Sequence, residues 1–197
     1  MEPKRIGRPP EVDAEGVART AVRMFVERGF SNVTMDDIAH EVGLNRRTLF
    51  RYFRSKNELV WGGSAEAVTR LRRELADVPT GVDPFRAAQA AYVRSLVFPD
   101  EALEVTRQRL VLIASSDALS AFGAANQELV RRIIATFIAD RGDRDVDSLE
   151  VAMRSAALVH GGHDALMWWA RFGAGPPAAL VEQALRIILA PPSVRPA

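Results

Sequence analysis

The sequence predicts an all-α protein of nine helices. Alanine is abundant, and apolar residues recur at spacings of three and four. No stretch alternates β-branched and polar residues between turn signals, as a strand would. Proline, glycine, aspartate and serine fall where helices start and stop.

Taken in order, the first helix starts near Glu11, after Pro9-Pro10. It carries Val17, Ala21 and Met24/Phe25 on one face and stops at Gly29. Thr34, with Asp37 three residues on, forms a capping box for a short helix ending at Val42-Gly43. Asn45 caps a third helix to about Tyr52, and Ser55 with Glu58 opens a longer one to about Asp77. After the Pro79-Thr80-Gly81 loop, Asp83-Pro84 starts a helix to about Phe98. Pro99-Asp100 restarts one to about Ser115, and Asp117 caps another that runs to near Gly142. A long helix from Asp147 to Phe172 is broken by Gly173-Ala174-Gly175, and Pro176-Pro177 open the last one to Ala190.

The 197 residues carry 26 Lys+Arg against 25 Asp+Glu, a formal charge of +1, and 48% are apolar, enough for a sizeable core. There is no cysteine, which excludes disulfides, thiolate metal sites and cysteine nucleophiles. No apolar run has the roughly 18 residues a membrane-spanning helix needs, and no apolar stretch follows the N-terminal Lys4-Arg5 as in a signal peptide. A soluble cytoplasmic protein without membrane contact is expected. The near-neutral total hides local contrast. From Asn45 to Asn57 there are five basic residues and no acid, and Lys4, Arg5 and Arg8 add a second basic patch. Such patches point either to an anionic partner or to solvated surface.

The segment from Thr34 to Tyr52 has the form of a helix-turn-helix. Ile38 and Ala39 give the first helix an apolar underside, and Gly43 sits at a turn that needs positive φ. Leu44 and Leu49 can pack beneath the second helix, which leaves Arg46, Arg47, Thr48 and Arg51 on or near its outer side. Arginine can bond bidentately to guanine, and a threonine hydroxyl or a helix N-terminus can hold phosphate, so this helix suits a major groove. Tyr52 and Lys56 follow within reach of the backbone. The arm with Arg5 and Arg8 is either a minor-groove contact or a solubilising tail.

Phe25-x-x-x-Gly29-Phe30, Thr34-Met35-x-x-Ile38-Ala39, Val42-Gly43-Leu44, Thr48-Leu49-Phe50-x-Tyr52-Phe53 and Ser55-Lys56-x-x-Leu59 resemble the N-terminal domain of TetR-type transcriptional regulators. The stretch from Arg46 to Glu58, followed by Trp61-Gly62, is similar to regulators of the mycofactocin system. This resemblance implies a three-helix DNA-binding domain with its arm over residues 1–57 and an effector-binding and dimerisation domain over 58–197. It further implies a homodimeric repressor that binds palindromic operator DNA and is released by a small-molecule effector, with a long-chain acyl-CoA as the subfamily's implied ligand. Thr34, Thr48, Tyr52 and Lys56 match the family's phosphate-contacting positions, and Arg46 and Arg47 match base-facing ones. Arg47 stands where many members have glycine, so base preference does not transfer. Asn45 replaces a common serine and can add a contact of its own.

In the second domain, Tyr92, Leu96, Leu110, Ile113, Phe137, Met153 and Ala157 are candidate cavity-lining residues, or plain core. His160 and Asp164 are a polar pair one turn apart that could orient a ligand. Arg70, Arg72, Arg73, Arg107, Arg109, Arg131 and Arg132 could supply a basic mouth for CoA phosphates. His160, His163 and Asp164 fall short of a zinc ligand set, so neither metal nor cofactor is expected. Val159, Gly162, Leu166 and Trp169 stripe a second face of the long helix, and Leu180, Ala184, Ile187 and Ile188 stripe the last one; these are the expected dimer surface, with bundle packing within one subunit as the alternative. The cost of Gly161-Gly162 in a helix is explained by close approach of another helix. A continuous helix from Ser55 to Asp77 could tilt like a pendulum when ligand binds. An all-helical enzyme or a protein-binding adaptor are the alternatives. No Gly-x-Ser-x-Gly, phosphate loop or Glu-x-x-His pair supports the former, and the arginine-bearing short helix is unexplained by the latter.

Overall fold

The computed structural model describes residues 12–189, and each regular element among them is helical: eleven α-helices and one 3-10 turn, Phe30–Asn32. The chain divides into two compact units between Leu59 and Val60. The first unit holds α1 (Ala14–Arg28), α2 (Met35–Glu41), α3 (Arg46–Tyr52) and most of α4 (Lys56–Val60). The second holds α5 (Ser64–Ala76), α6 (Pro84–Ser95), α7 (Asp100–Ala114), α8 (Asp117–Phe122), α9 (Ala124–Gly142), α10 (Leu149–Phe172) and α11 (Pro177–Leu189).

Local chemistry explains the first unit. Asp13 caps α1 by accepting from Gly16 N, and Gly29 closes the helix at φ 87°. Thr34 and Asp37 form the reciprocal capping box of α2, and Asn45 caps α3 through Thr48 N. Gly43 takes φ 66° in the corner between α2 and α3. Val22, Met24, Phe25, Ile38 and Leu49 are fully buried and tie the three helices together. Phe25 and Phe30 meet edge to face at 4.9 Å.

Two of the nine expected helices are each divided, which raises the count to eleven. The rod expected from Ser55 to Asp77 stops at Val60 and restarts at Ser64, because Gly63 adopts the left-handed conformation at φ 85°. A rigid pendulum over that length is therefore absent. The helix expected from Asp117 to Gly142 breaks at Gly123, and Ser116 rather than Asp117 caps its first part. The two breaks meet. The Trp61 indole donates through Nε1 to Leu119 O at 2.9 Å. A Cβ at Gly123 would stand 2.0 Å from its ring.

In the second unit, α10 packs against α7, α9 and α11, and α6 against α5, α9 and α11. The core runs through Leu71, Ala88, Ile134, Val151, Val181 and Leu185. The paired glycines of α10 serve this bundle. A side chain at Gly161 would meet Ile188 of α11 at 2.5 Å, and one at Gly162 would meet the Tyr92 ring of α6 at 2.4 Å.

Candidate nucleic-acid interface and effector domain

Charge in the first unit is compensated on one side and bare on another. On α1, Arg19 pairs with Asp13, Arg23 with Glu27 and Glu41, and Arg28 with Glu41. On α3 and just beyond it, Arg47, Arg51 and Arg54 are exposed, and none has a carboxylate partner among the described residues. Arg51 lies over the Tyr52 ring at 5.1 Å. Arg46 differs from them: its Nη1 donates to Asp36 Oδ2 at 2.9 Å, and its guanidinium lies 5.3 Å from the Phe50 ring centre. Leu49 is wholly buried beneath this surface, so the arginines are held outward by the helix's own anchor.

The remaining expected DNA contacts are placed unevenly. Asn45 is exposed and Thr48 half-buried at the start of α3, and Tyr52 is 39% exposed. Thr34 is exposed, but its hydroxyl donates to Asp37 Oδ2 at 2.7 Å. That bond and the Thr34 backbone N–H hold the Asp37 carboxyl below its ordinary 3.8. Lys56 turns inward: Nζ donates to Phe30 O at 2.6 Å and Val33 O at 2.9 Å, above the Phe30 ring. Two of its three N–H donors thus brace the 3-10 turn instead of reaching outward. Arg5 and Arg8 lie outside the described residues. Phe50, 36% exposed among the arginines, was missing from the expected set because an apolar residue defaults to core.

The second unit corrects the reading of α10. The stripe expected at a dimer surface faces its own core: Val159, Gly162 and Trp169 are buried, and Leu166 packs against the core cluster. Trp169 is locked there by Nε1 donating to Gly175 O at 2.8 Å, with Arg107 over its ring at 4.3 Å. The stripe expected to line a ligand cavity faces outward: Met153 is 56% exposed, His160 and Asp164 are exposed, and Ala157 is half-buried. Trp168 and Phe172 continue that outward stripe, with ring centres 5.5 Å apart. Both were missing from the expected set, although their i, i+4 spacing extends the 153–157–160–164 series. On α11, Leu180 and Ala184 pack inward, whereas Ile187 and Ile188 are exposed.

Of the other cavity candidates, Tyr92 and Leu96 belong to the central cluster and Phe137 packs against it. Burial pushes the Tyr92 phenol well above its ordinary 10. Ile113 is buried and Leu110 half-buried on α7. Phe137 also lines a cleft of about 190 Å³ with Asp140, Arg141 and the 78–84 loop, smaller than the few hundred Å3 typical of ligand pockets. Several of the arginines suggested for a CoA mouth are engaged elsewhere. Arg70 donates to Ser95 O, Arg107 to Trp169 O, and Arg131 and Arg132 to Glu128. Arg72 and Arg73 stand exposed on α5. Burial pushes the His163 imidazole below its ordinary 6.5. Among the described residues no group of three or more His, Asp or Glu side chains is placed to hold a metal ion. No described helix is long and apolar enough to cross a membrane.

A glycine-cornered helix pair that presents bare arginines, joined to a separate all-helical unit, defines a helix-turn-helix DNA-binding regulator. Comparison with known proteins agrees. The profile of the bacterial regulatory proteins of the tetR family matches residues 18–60, and that of the MftR C-terminal domain matches residues 82–192. The chain belongs to the TetR family, in the branch with an MftR-type C-terminal domain, and is a DNA-binding transcriptional regulator of the repressor type. The enzyme alternative falls with that assignment.

Among curated relatives, the mycofactocin biosynthesis transcriptional regulator MftR of Mycobacterium tuberculosis is 31% identical over 137 residues, 70% of this chain and 69% of that one. Solved structures that share the fold include the following two. FadR of Thermus thermophilus, a TetR-family repressor in complex with lauroyl-CoA, has a TM-score of 0.58 at 23% identity, covering 93% of this chain and 97% of that one. The ketosteroid regulator KstR2 of Mycobacterium tuberculosis has a TM-score of 0.56 at 19% identity, covering 94% and 97%.

Proposed function

We propose that this chain acts as a homodimer that holds a palindromic operator through α3 of each copy and releases it when a small acyl-type effector enters the second unit. The observation that carries the DNA part is the contrast between the compensated arginines of α1 and the bare ones of α3. Arg46 and Arg47 are the base-facing pair, with Arg51, Tyr52, Thr48 and Asn45 on the flanking phosphates and Thr34 adding a phosphate contact at the expense of its bond to Asp37. Lys56 contributes chiefly by bracing the turn, with one N–H left for phosphate. The arm bearing Arg5 and Arg8 adds a minor-groove contact.

Dimerisation uses the outward stripe of α10, with Met153, Ala157, Trp168 and Phe172, together with Ile187 and Ile188 of α11. An exposed aromatic pair on α10, with two exposed isoleucines on the α11 helix packed against it, is the surface a monomer would not keep bare. Two recognition helices would then enter major grooves about 34 Å apart, or a multiple of that. The effector cavity opens from the apolar region of Tyr92, Leu96, Leu110, Ile113 and Phe137. The bound lauroyl-CoA of the FadR relative supports an acyl-CoA as the first ligand to try. To reverse a 99:1 preference for the DNA-binding state, the ligand must favour the other state by about 5.5 kcal/mol.

Binding of the full-length protein to duplex DNA across a salt series tests the first part. A steep negative slope of log K on log salt is expected, and a slope near zero would remove the DNA reading. Micromolar lauroyl-CoA tests the second. Release of DNA and a raised melting temperature are expected; the absence of both would discard the acyl-CoA assignment and leave the DNA result standing.

A further inference from the structure

We infer that Asp36 is a specificity-determining positioning residue, which holds Arg46 as a pre-aimed guanine reader through a three-part stack of Asp36, Arg46 and Phe50. The inference rests on the DNA reading above and adds a residue to it. Asp36 lies in the first turn of α2 and Arg46 opens α3, so the contact bridges both helices of the motif. Arg46 Nη1 donates to Asp36 Oδ2 at 2.9 Å, and Phe50, one turn further along α3, lies under the guanidinium at 5.3 Å. Arg47, its sequence neighbour, has neither support among the described residues.

The helix dipole favours an acid in the first turn of α2, which accounts for the charge but not for its pairing with the first residue of α3. The pair is exposed on both sides, 69% for Arg46 and 58% for Asp36, and such pairs add little to stability in water. A carboxylate beside a surface meant for DNA also repels phosphate. Its value appears on docking, when water leaves the groove and the same contact becomes stronger in the drier environment. Guanidinium has five N–H donors, and one goes to Asp36. The Phe50 ring covers one face of the plane, so the edge left free carries the donors. Two parallel N–H groups on that edge match guanine O6 and N7. A side chain held at one end and supported on one face loses less freedom on binding than a loose one. The carboxylate further penalises any register that would place a phosphate at Arg46, so it converts an all-purpose cation into a base reader.

Selection from a randomised duplex library, with full-length parent, Asp36→Ala, Asp36→Asn, Arg46→Ala and the Asp36→Ala/Arg46→Ala double variant, tests this. The parent should yield a palindromic consensus. Arg46→Ala should flatten one G·C position in each half-site by about tenfold or more. Asp36→Ala should flatten the same position by about fivefold while binding random-sequence duplex more tightly, since an anion has left the surface. Asp36→Asn keeps an acceptor and should recover part of the discrimination. The double variant should be no less discriminating than Arg46→Ala alone, because the two residues act as one unit. A consensus unchanged by Asp36→Ala, or altered at a position other than that of Arg46, would overturn the inference and leave the DNA reading intact. A parent that selects nothing from the library would instead overturn the DNA reading itself. Both sites are exposed, and unchanged circular dichroism establishes that each variant is folded.

Discussion

The short helix α3 and the long helix α10 both carry side chains that we propose meet partners, yet they declare them differently. On α3 the buried residue is a leucine and the exposed ones are mainly arginines, with Phe50 and Tyr52 among them, so polarity goes far to separate the faces. On α10 both faces are apolar: Val159 and Trp169 point into the bundle, and Met153, Trp168 and Phe172 point out of it. A helical period identifies two stripes on such a helix but carries no sign to say which one is buried. The lesson is that a polar interface is legible from composition, whereas an apolar interface looks like core until packing distinguishes them.

The two adjacent tryptophans of α10 give the largest test of that difference. Trp169→Ala removes a fully buried indole and its bond to Gly175, and should lower the unfolding free energy by about 3–5 kcal/mol. Trp168→Ala should instead act on assembly, weakening dimerisation by about 1–2 kcal/mol. Urea unfolding at several protein concentrations separates them. Equal, concentration-independent losses would show that both faces are core.

The glycines of the same helix sharpen the comparison at a smaller scale. Gly162→Ala drives a methyl into the rigid Tyr92 ring and should cost about 1–3 kcal/mol. Gly161→Ala meets only the flexible tip of Ile188, and the roughly 1 kcal/mol gained in helix propensity should offset it. Thermal melts of the two variants should differ in that order; the reverse order would mean that α11 is the tighter neighbour.

On the polar side, Arg47→Ala should relax preference at one or two base pairs by about 1–3 kcal/mol. Arg23→Ala, whose charge is already met by Glu27 and Glu41, should leave DNA affinity nearly unchanged. Equal losses for both would place the DNA-binding surface elsewhere in the unit. The smallest effect concerns acid. Hydrogen bonds from Arg131 and Arg132 pull the Glu128 carboxyl from an ordinary 4.5 down to about 2. A lowered folded value contributes stability above pH 4.5 that is lost as the pH falls towards 2. Glu128→Gln should therefore narrow the gap to the parent melting temperature across that window, and parallel curves would show that solvent screens the cluster to nothing.

The helical class, the capping of α2 by Thr34 and of α3 by Asn45, and the outward arginines were all legible in the sequence, because each rests on a local pairing of residue type and position. The inward turn of Lys56 was not, since nothing local shows that two backbone carbonyls lie 23 and 26 residues away in sequence but within reach in space. The two helix breaks were missed for a related reason. A glycine within a helical pattern is usually tolerated at a modest cost, and neither the left-handed backbone of Gly63 nor the indole beside Gly123 is visible in the residue type alone.

The meeting of Trp61 with Gly123 has a consequence for how such chains can diverge. The indole occupies the volume that any side chain at position 123 would need, so position 123 cannot be filled while the ring is in place, whereas the ring can be lost first. A descendant that fills position 123 must first give up the large ring at 61, passing through a form with a hollow where both now fit. Chains that share this corner should therefore carry a side chain at position 123 only where the residue at 61 is small.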